Sequence, residues 1–183
     1  MGIPTLITAL TATNDTSLSF VDGASSVVLD STYDEYMFVF TDIGPATDNV
    51  YFTFQGSIDA GSNYNVTMTT TMFRSGHMES GAETDFSYDT GSDTAQGTGF
   101  QRLSVDSDNA ADGSGAGILH LFSPSNTTYV KHFYSRYHHM TGTPSAYTNF
   151  VAGYFNDTND VDAVQFKMSS GNFDGVIQLY GIS

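Results

Sequence analysis

From Tyr36 to Phe40 the side chains alternate: Tyr36, Phe38 and Phe40 fall on one side of an extended backbone, Met37 and Val39 on the other. Successive side chains of a strand point to opposite faces, whereas a helix would scatter these five around its circumference. Both sides are apolar here, which predicts an interior strand of a two-sheet sandwich. Residues 42–49 break the pattern with Gly44-Pro45 and predict an irregular corner. Residues 50–55 resume it, with Phe52 and Phe54 on one side and Tyr51 and Thr53 on the other. Asp59-Ala60-Gly61-Ser62-Asn63 reads as a hairpin turn, and residues 64–73 as its return strand.

The same period recurs along the chain. Residues 99–105, 117–122, 128–137, 149–156, 162–169 and 175–182 read as strands, and 6–11, 16–21 and 25–29 as an opening meander. Gly, Ser, Asp and Thr dominate residues 75–98, 106–115 and 139–148, which read as exposed loops. No window carries a capped helical stripe, and no fixed repeat or linker divides the chain. The expectation is a single all-β domain of nine to eleven strands, an antiparallel two-sheet sandwich for which a jelly roll suits the count. Residues 1–13 form a short N-terminal arm or first edge strand, and residues 14–183 the sandwich.

Composition narrows the function classes. The net charge is −15, with only 5 Lys and Arg against 20 Asp and Glu. So few cations cannot build a phosphate-binding stripe, so neither nucleic acid nor an anionic membrane is expected as a partner. The chain has no cysteine, which excludes disulfides, thiolate metal sites and thiol nucleophiles. Residues 1–7 lack the basic start and apolar core of a secretory signal, and no stretch reaches the ~18 apolar residues of a membrane helix. Synthesis in a cytoplasm is therefore expected.

Motifs for chemistry are sparse. Asp106 to Gly113 places Asp at alternate positions as a calcium loop does, but lacks the third ligand and the closing Glu. Asp157-Thr158-Asn159-Asp160-Val161-Asp162 is similar, and both read as solvated loops. Adjacent His138 and His139 point to opposite faces of a strand and cannot share a metal. No H-x-H, H-E-x-x-H or G-x-S-x-G pattern occurs, and Gly113-Ser114-Gly115-Ala116-Gly117 has no following Lys to hold phosphate, so it reads as a flexible turn. No catalytic residue, cofactor or metal is expected, and the chain reads as a non-enzyme.

Two features point instead to adhesion. The five cations, Arg74, Arg102, Lys131, Arg136 and Lys167, mostly flank aromatics, which suits either packing against neighbouring acids or charge pairs between copies. The run from His132 to His139 is rich in Tyr and His, flat apolar bodies with polar tips that suit a protein interface or a sugar face. Tyr134, Arg136, Tyr137, His138 and His139 are the candidate interface or glycan-contact residues.

The phrases Tyr33-Asp34-Glu35-Tyr36-Met37-Phe38, Pro45-Ala46-Thr47-Asp48-Asn49, Phe54-Gln55-Gly56-Ser57, Gly61-Ser62-Asn63-Tyr64-Asn65-Val66 and Val176-Ile177-Gln178-Leu179-Tyr180-Gly181-Ile182 carry a resemblance. Across about residues 15–183 the chain resembles a group of small virion proteins of tailed bacteriophages, many from marine samples. The resemblance implies a jelly-roll-like protein of the particle surface, oligomeric and often trimeric, in a role such as capsid decoration, head fibre or tail-fibre tip. The expected function is a decoration (cement) protein that stabilises the shell. Its expected partners are the major capsid protein and itself as a homotrimer, and its expected location is the virion after assembly in the host cytoplasm. The alternative is a fibre tip that binds a host receptor or surface glycan.

Overall fold

A computed structural model describes residues 2–183. It contains β1 (Thr5–Asp15), β2 (Leu18–Val21), β3 (Glu35–Pro45), β4 (Phe52–Ser57), β5 (Met68–Met78), β6 (Thr84–Tyr88), β7 (Gln101–Arg102), β8 (Gly115–Phe122), β9 (Lys131–Thr141), β10 (Ser145–Phe155), β11 (Ala163–Met168) and β12 (Phe173–Ile182). No helix forms among the described residues. One sheet holds eight strands in the order β1-β12-β3-β8-β9-β10-β5-β6, and the other holds four in the order β2-β11-β4-β7. Every strand pair is antiparallel. The chain is thus an all-β antiparallel sandwich, with an eight-and-four division of its strands.

The alternation in β3 does what it predicts. Tyr36, Phe38 and Phe40 are buried between the sheets, while Met37 and Val39 lie on the half-covered outer face. Phe52 and Phe54 of β4 meet them from the small sheet. At the centre sits Phe166 of β11, whose ring centroid lies 5.2 Å from Phe38, 5.2 Å from Phe40 and 5.9 Å from Phe52. Edge-to-face and offset geometries dominate the cluster, as ring quadrupoles favour.

Residues 5–13 of the expected arm belong to β1, which pairs with β12 at one end of the large sheet, and Met1 lies outside the described residues. Several local expectations change. Residues 25–29 are a connection: Ser25 and Ser26 take positive φ in succession (50° and 64°), which regular extended backbone does not accommodate. β3 continues through Gly44-Pro45 by a bulge at residues 40–43, where Asp42 has φ 52°. The turn at Asp59 to Asn63 does not close a hairpin. β4 pairs with β11 and β7, whereas β5 crosses to the large sheet and pairs with β10 and β6. Two of the expected loops contain strand: within residues 75–98 β5 runs on to Met78 with β6 beside it, and residues 139–148 are largely strand, β9 and β10 joining across Gly142-Thr143-Pro144.

The glycine run leads into β8, whose first three residues are Gly115, Ala116 and Gly117, and its function is packing. Gly115 and Gly117 lie directly under the ring of buried Tyr137. A Cβ at Gly117 would stand 2.4 Å from the Arg136 carbonyl oxygen and 2.8 Å from the Tyr137 Cα, both backbone. Gly117→Ala is therefore expected to cost about 2–3 kcal/mol, read as a lower urea midpoint with an unchanged slope.

The small sheet does not span the large one. Beyond it, the segment 89–100 covers β5, held by two fully buried glutamines. Gln55 Nε2 donates to the carbonyls of Val66, Thr98 and Gly99, and Gln101 Nε2 donates to Ser92. Thr70 Oγ1 donates to Gln101 Oε1 at 2.7 Å. These bonds satisfy backbone groups that a loop lying on a core would otherwise leave unpaired.

Candidate interaction surface

Charge is distributed unevenly over this fold. Only Asp15, Glu35, Asp42, Asp85 and Asp174 lie in strands, and the other 15 of the 20 acids sit in connections. Four adjacent strands of the large sheet, β8, β9, β10 and β5, contain no Asp or Glu. Those four strands carry all five histidines and three of the five Lys and Arg. A chain of net charge −15 thus presents one continuous acid-free region.

Register defines what that region shows outward. Across the sheet, Ile118 faces Arg136, which faces Phe150, which faces Phe73. The next rows place Ala116, His138, Thr148 and Ser75 together, and His120, Tyr134, Ala152 and Thr71 together. Two aromatic groups flank the middle. Phe73 stacks on Phe150 with centroids 4.7 Å apart and planes 8° apart, and exposed Phe86 of β6 lies 6.1 Å from Phe73. On the other side Tyr134 stacks on His120 at 4.6 Å, with Phe122 5.8 Å away. The His120 Nδ1–H donates to Glu35, an acid of β3 that borders this region.

Between the groups lies an open depression of about 560 Å³ lined by Ser75, Arg136, His138, Thr148 and Phe150. His138 Nδ1 and Thr148 Oγ1 are 3.0 Å apart across it. A second depression, about 510 Å³ and more apolar, lies between Phe122, Tyr129 and His132. Interface cores are depleted in charge and enriched in aromatics, Met and Arg, and this composition matches.

Of the sequence-predicted residues, Tyr134, Arg136 and His138 are exposed on this face. Tyr137 and His139 are not: each is 1% exposed, pointing into the core, because they alternate with the outward residues along β9. They cannot touch a partner or a glycan. Tyr137 packs on Phe52 at 5.4 Å, and its phenol is pushed above its ordinary range by burial. His139 is held neutral from both sides: Nε2–H donates to the Val105 carbonyl, and Nδ1 accepts from Asn149 Nδ2 at 3.2 Å. The predicted cluster from residues 132 to 139 is two half-sets on opposite faces.

The cations divide in an informative way. Arg74 binds Asp85 at 2.9 Å and Asp89 at 3.1 Å. The Arg102 guanidinium lies 3.9 Å above the Tyr51 ring, and Lys167 Nζ 4.0 Å above Phe100. Lys131 is fully buried and donates to the carbonyls of Tyr129 and Asp157. Exposed Arg136 alone has no hydrogen bond, ion pair or aromatic ring beneath it among the described residues. Sequence reasoning singled out Arg136 but missed Phe73, Phe86 and Phe150, which only strand adjacency brings beside it.

The Asp-rich loops use their carboxylates locally. Asp108 Oδ1 accepts from the Ala110 amide, and Asp157 Oδ1 from the Asn159 amide. Among the described residues no three His, Cys, Asp or Glu side chains converge as metal ligands, and no helix is long and apolar enough to cross a membrane. No family model, curated protein or solved structure matches the chain.

Proposed function

We propose that this is a non-enzymatic virion surface protein of a tailed bacteriophage, a capsid decoration protein that rests on the shell through the outer face of β8, β9, β10 and β5. The phage assignment rests on the sequence resemblance, and the mode of attachment on one observation. The four acid-free strands carry the unpaired cation Arg136 amid exposed aromatics, while the acids crowd the connections. Such a body orients itself on a large partner: the acid-free face goes inward, and the acidic connections stay in water and keep neighbouring copies apart. Many copies on a lattice convert weak single contacts into firm attachment.

The test is add-back of purified protein to shells lacking it, with its position read by electron microscopy. Wild type is expected on the head. Arg136→Glu combined with Tyr134→Ala is expected to weaken binding about 10- to 100-fold, because it buries a repulsive charge and removes the exposed ring. Binding confined to the tail, or equal binding by the variant, would refute the proposal. A host surface glycan is the second reading, favoured by the exposed Tyr134 ring backed by His120. Retention of the protein on a glycan array, lost in Tyr134→Ala, would select it.

A further inference from the structure

A sandwich has sheet edges, and an edge strand offers a row of unpaired backbone N–H and C=O groups to any extended chain. The four edges here are very unequal. β7 spans two residues and β2 four, so neither offers a useful ladder. β6 spans five residues, contains Asp85, and is flanked by Glu79, Glu83, Asp89 and Asp93. β1 spans eleven residues, and no Asp, Glu, Lys or Arg occurs before Asp15.

Natural edges are guarded by charge, brevity, proline or bulges. β2, β6 and β7 use the first two. β1 is long, free of charge until its last residue, Asp15, and rich in Thr, Leu and Ile, with its Leu6 51% exposed and Ile3 just before it 88% exposed. Its bulges fall between Leu6 and Thr8 and between Ala12 and Asp15, leaving residues 8–12 in unbroken register. Among the described residues β1 pairs with β12 alone, and the backbone on its other side bonds to no other segment.

We propose that the free side of β1 is a self-association edge that pairs antiparallel with β1 of a second copy. Charge selects the occupant. Two bodies of net charge −15 repel through their acidic connections, and β1 is the one extended edge at which no acid opposes an acid. Antiparallel pairing of identical strands is what a two-fold axis generates, so each copy satisfies the other's backbone groups and the two eight-stranded sheets become continuous. The interface is isologous, and it uses neither β6 nor the acid-free outer face. It therefore holds whatever that face meets. It joins copies in twos, whereas the sequence resemblance implies a trimer.

The test is sedimentation of the purified chain and of two charged variants, Ala9→Asp with Thr11→Asp and Ala9→Lys with Thr11→Lys. Wild type is expected to form dimers whose dissociation constant falls as added salt screens the −15 bodies from each other. Each variant is expected to raise that constant about tenfold or more, because like charges meet across the axis. An equimolar mixture of the two variants is expected to restore dimers, since opposite charges then face one another; restoration also shows that both variants are folded. A wild type that stays monomeric at high salt, a dimer or trimer indifferent to both variants, or a mixture that stays monomeric would each overturn the proposal.

Discussion

Phe166→Ala is expected to lower the unfolding free energy by about 4 kcal/mol, within the range for emptying a buried phenylalanine site. The side chain is fully buried and its ring lies within 6.2 Å, centre to centre, of Phe20, Phe38, Phe40, Phe52 and Phe54. Those five rings come from β2, β3 and β4, so the cavity would open at the seam where the two sheets meet. β11 is an interior strand of the small sheet, paired on one side with β2 and on the other with β4, and the backbone has little freedom to collapse inward. Domains of ordinary stability hold about 5–15 kcal/mol, so this one truncation would remove a large share. The control is Phe86→Ala, the same chemical change at a ring that is 79% exposed, expected within about 0.5 kcal/mol of wild type. Urea unfolding of the three proteins at one fixed concentration reads the difference. Equal losses for Phe166 and Phe86 would mean that the inter-sheet cluster does not hold the sandwich together.

The core that this prediction probes was readable from the sequence because a period of two assigns faces without reference to any other strand. Tyr36, Phe38 and Phe40 needed only each other to be placed inside. Pairing partners were not readable in the same way. The turn at Asp59 to Asn63 has hairpin chemistry, yet the chain after it crosses to the other sheet, because Met68, Met72 and Phe73 find their register against β10. Turn residues fix local direction, whereas the destination of a strand depends on which surface is left to cover. β6 was missed for a related reason: five residues among Gly, Ser and Asp carry no long alternation of their own, and their place is set by β5.

The candidate surface shows the same division. Arg136 and Tyr134 stood out because cations are scarce and tyrosine is amphipathic. Treating the run from His132 to His139 as one patch ignored the alternation that had placed β3 correctly, and it put Tyr137 and His139 on the wrong side. The absence of acids from β5, β8, β9 and β10 was on view in the sequence, but it gained meaning only when these four strands proved to be neighbours. Until then it was four separate stretches of neutral chain. Their adjacency converts a compositional bias into a face, and a face is what a binding protein presents to its partner.

His139 gives the sharpest pH test of this inward and outward division. The unfolded imidazole takes up a proton near its ordinary value of 6.5, whereas burial pushes the folded value down to about 4, with the Val105 carbonyl opposing the shift and neighbouring His138 adding slightly to it. Between those values the unfolded chain holds the extra proton, so acid favours unfolding through this residue and stability rises with pH. The contribution is complete above the unfolded value and is lost as pH falls toward the folded one, amounting to about 2 kcal/mol between pH 7 and pH 5. A measurement at pH 5 also stays above the sequence pI of about 4.1, where a chain without net charge would precipitate. His139→Gln keeps a group able to bond to Val105 or Asn149 but cannot titrate. It is expected to be less stable than wild type at pH 7, because it loses the ring packed 5.7 Å from Tyr137, and to have closed that gap by about 2 kcal/mol at pH 5. If the gap for His139→Gln is the same at both pH values, the imidazole is not sealed between the sheets, and the inward assignment of that half of β9 fails with it.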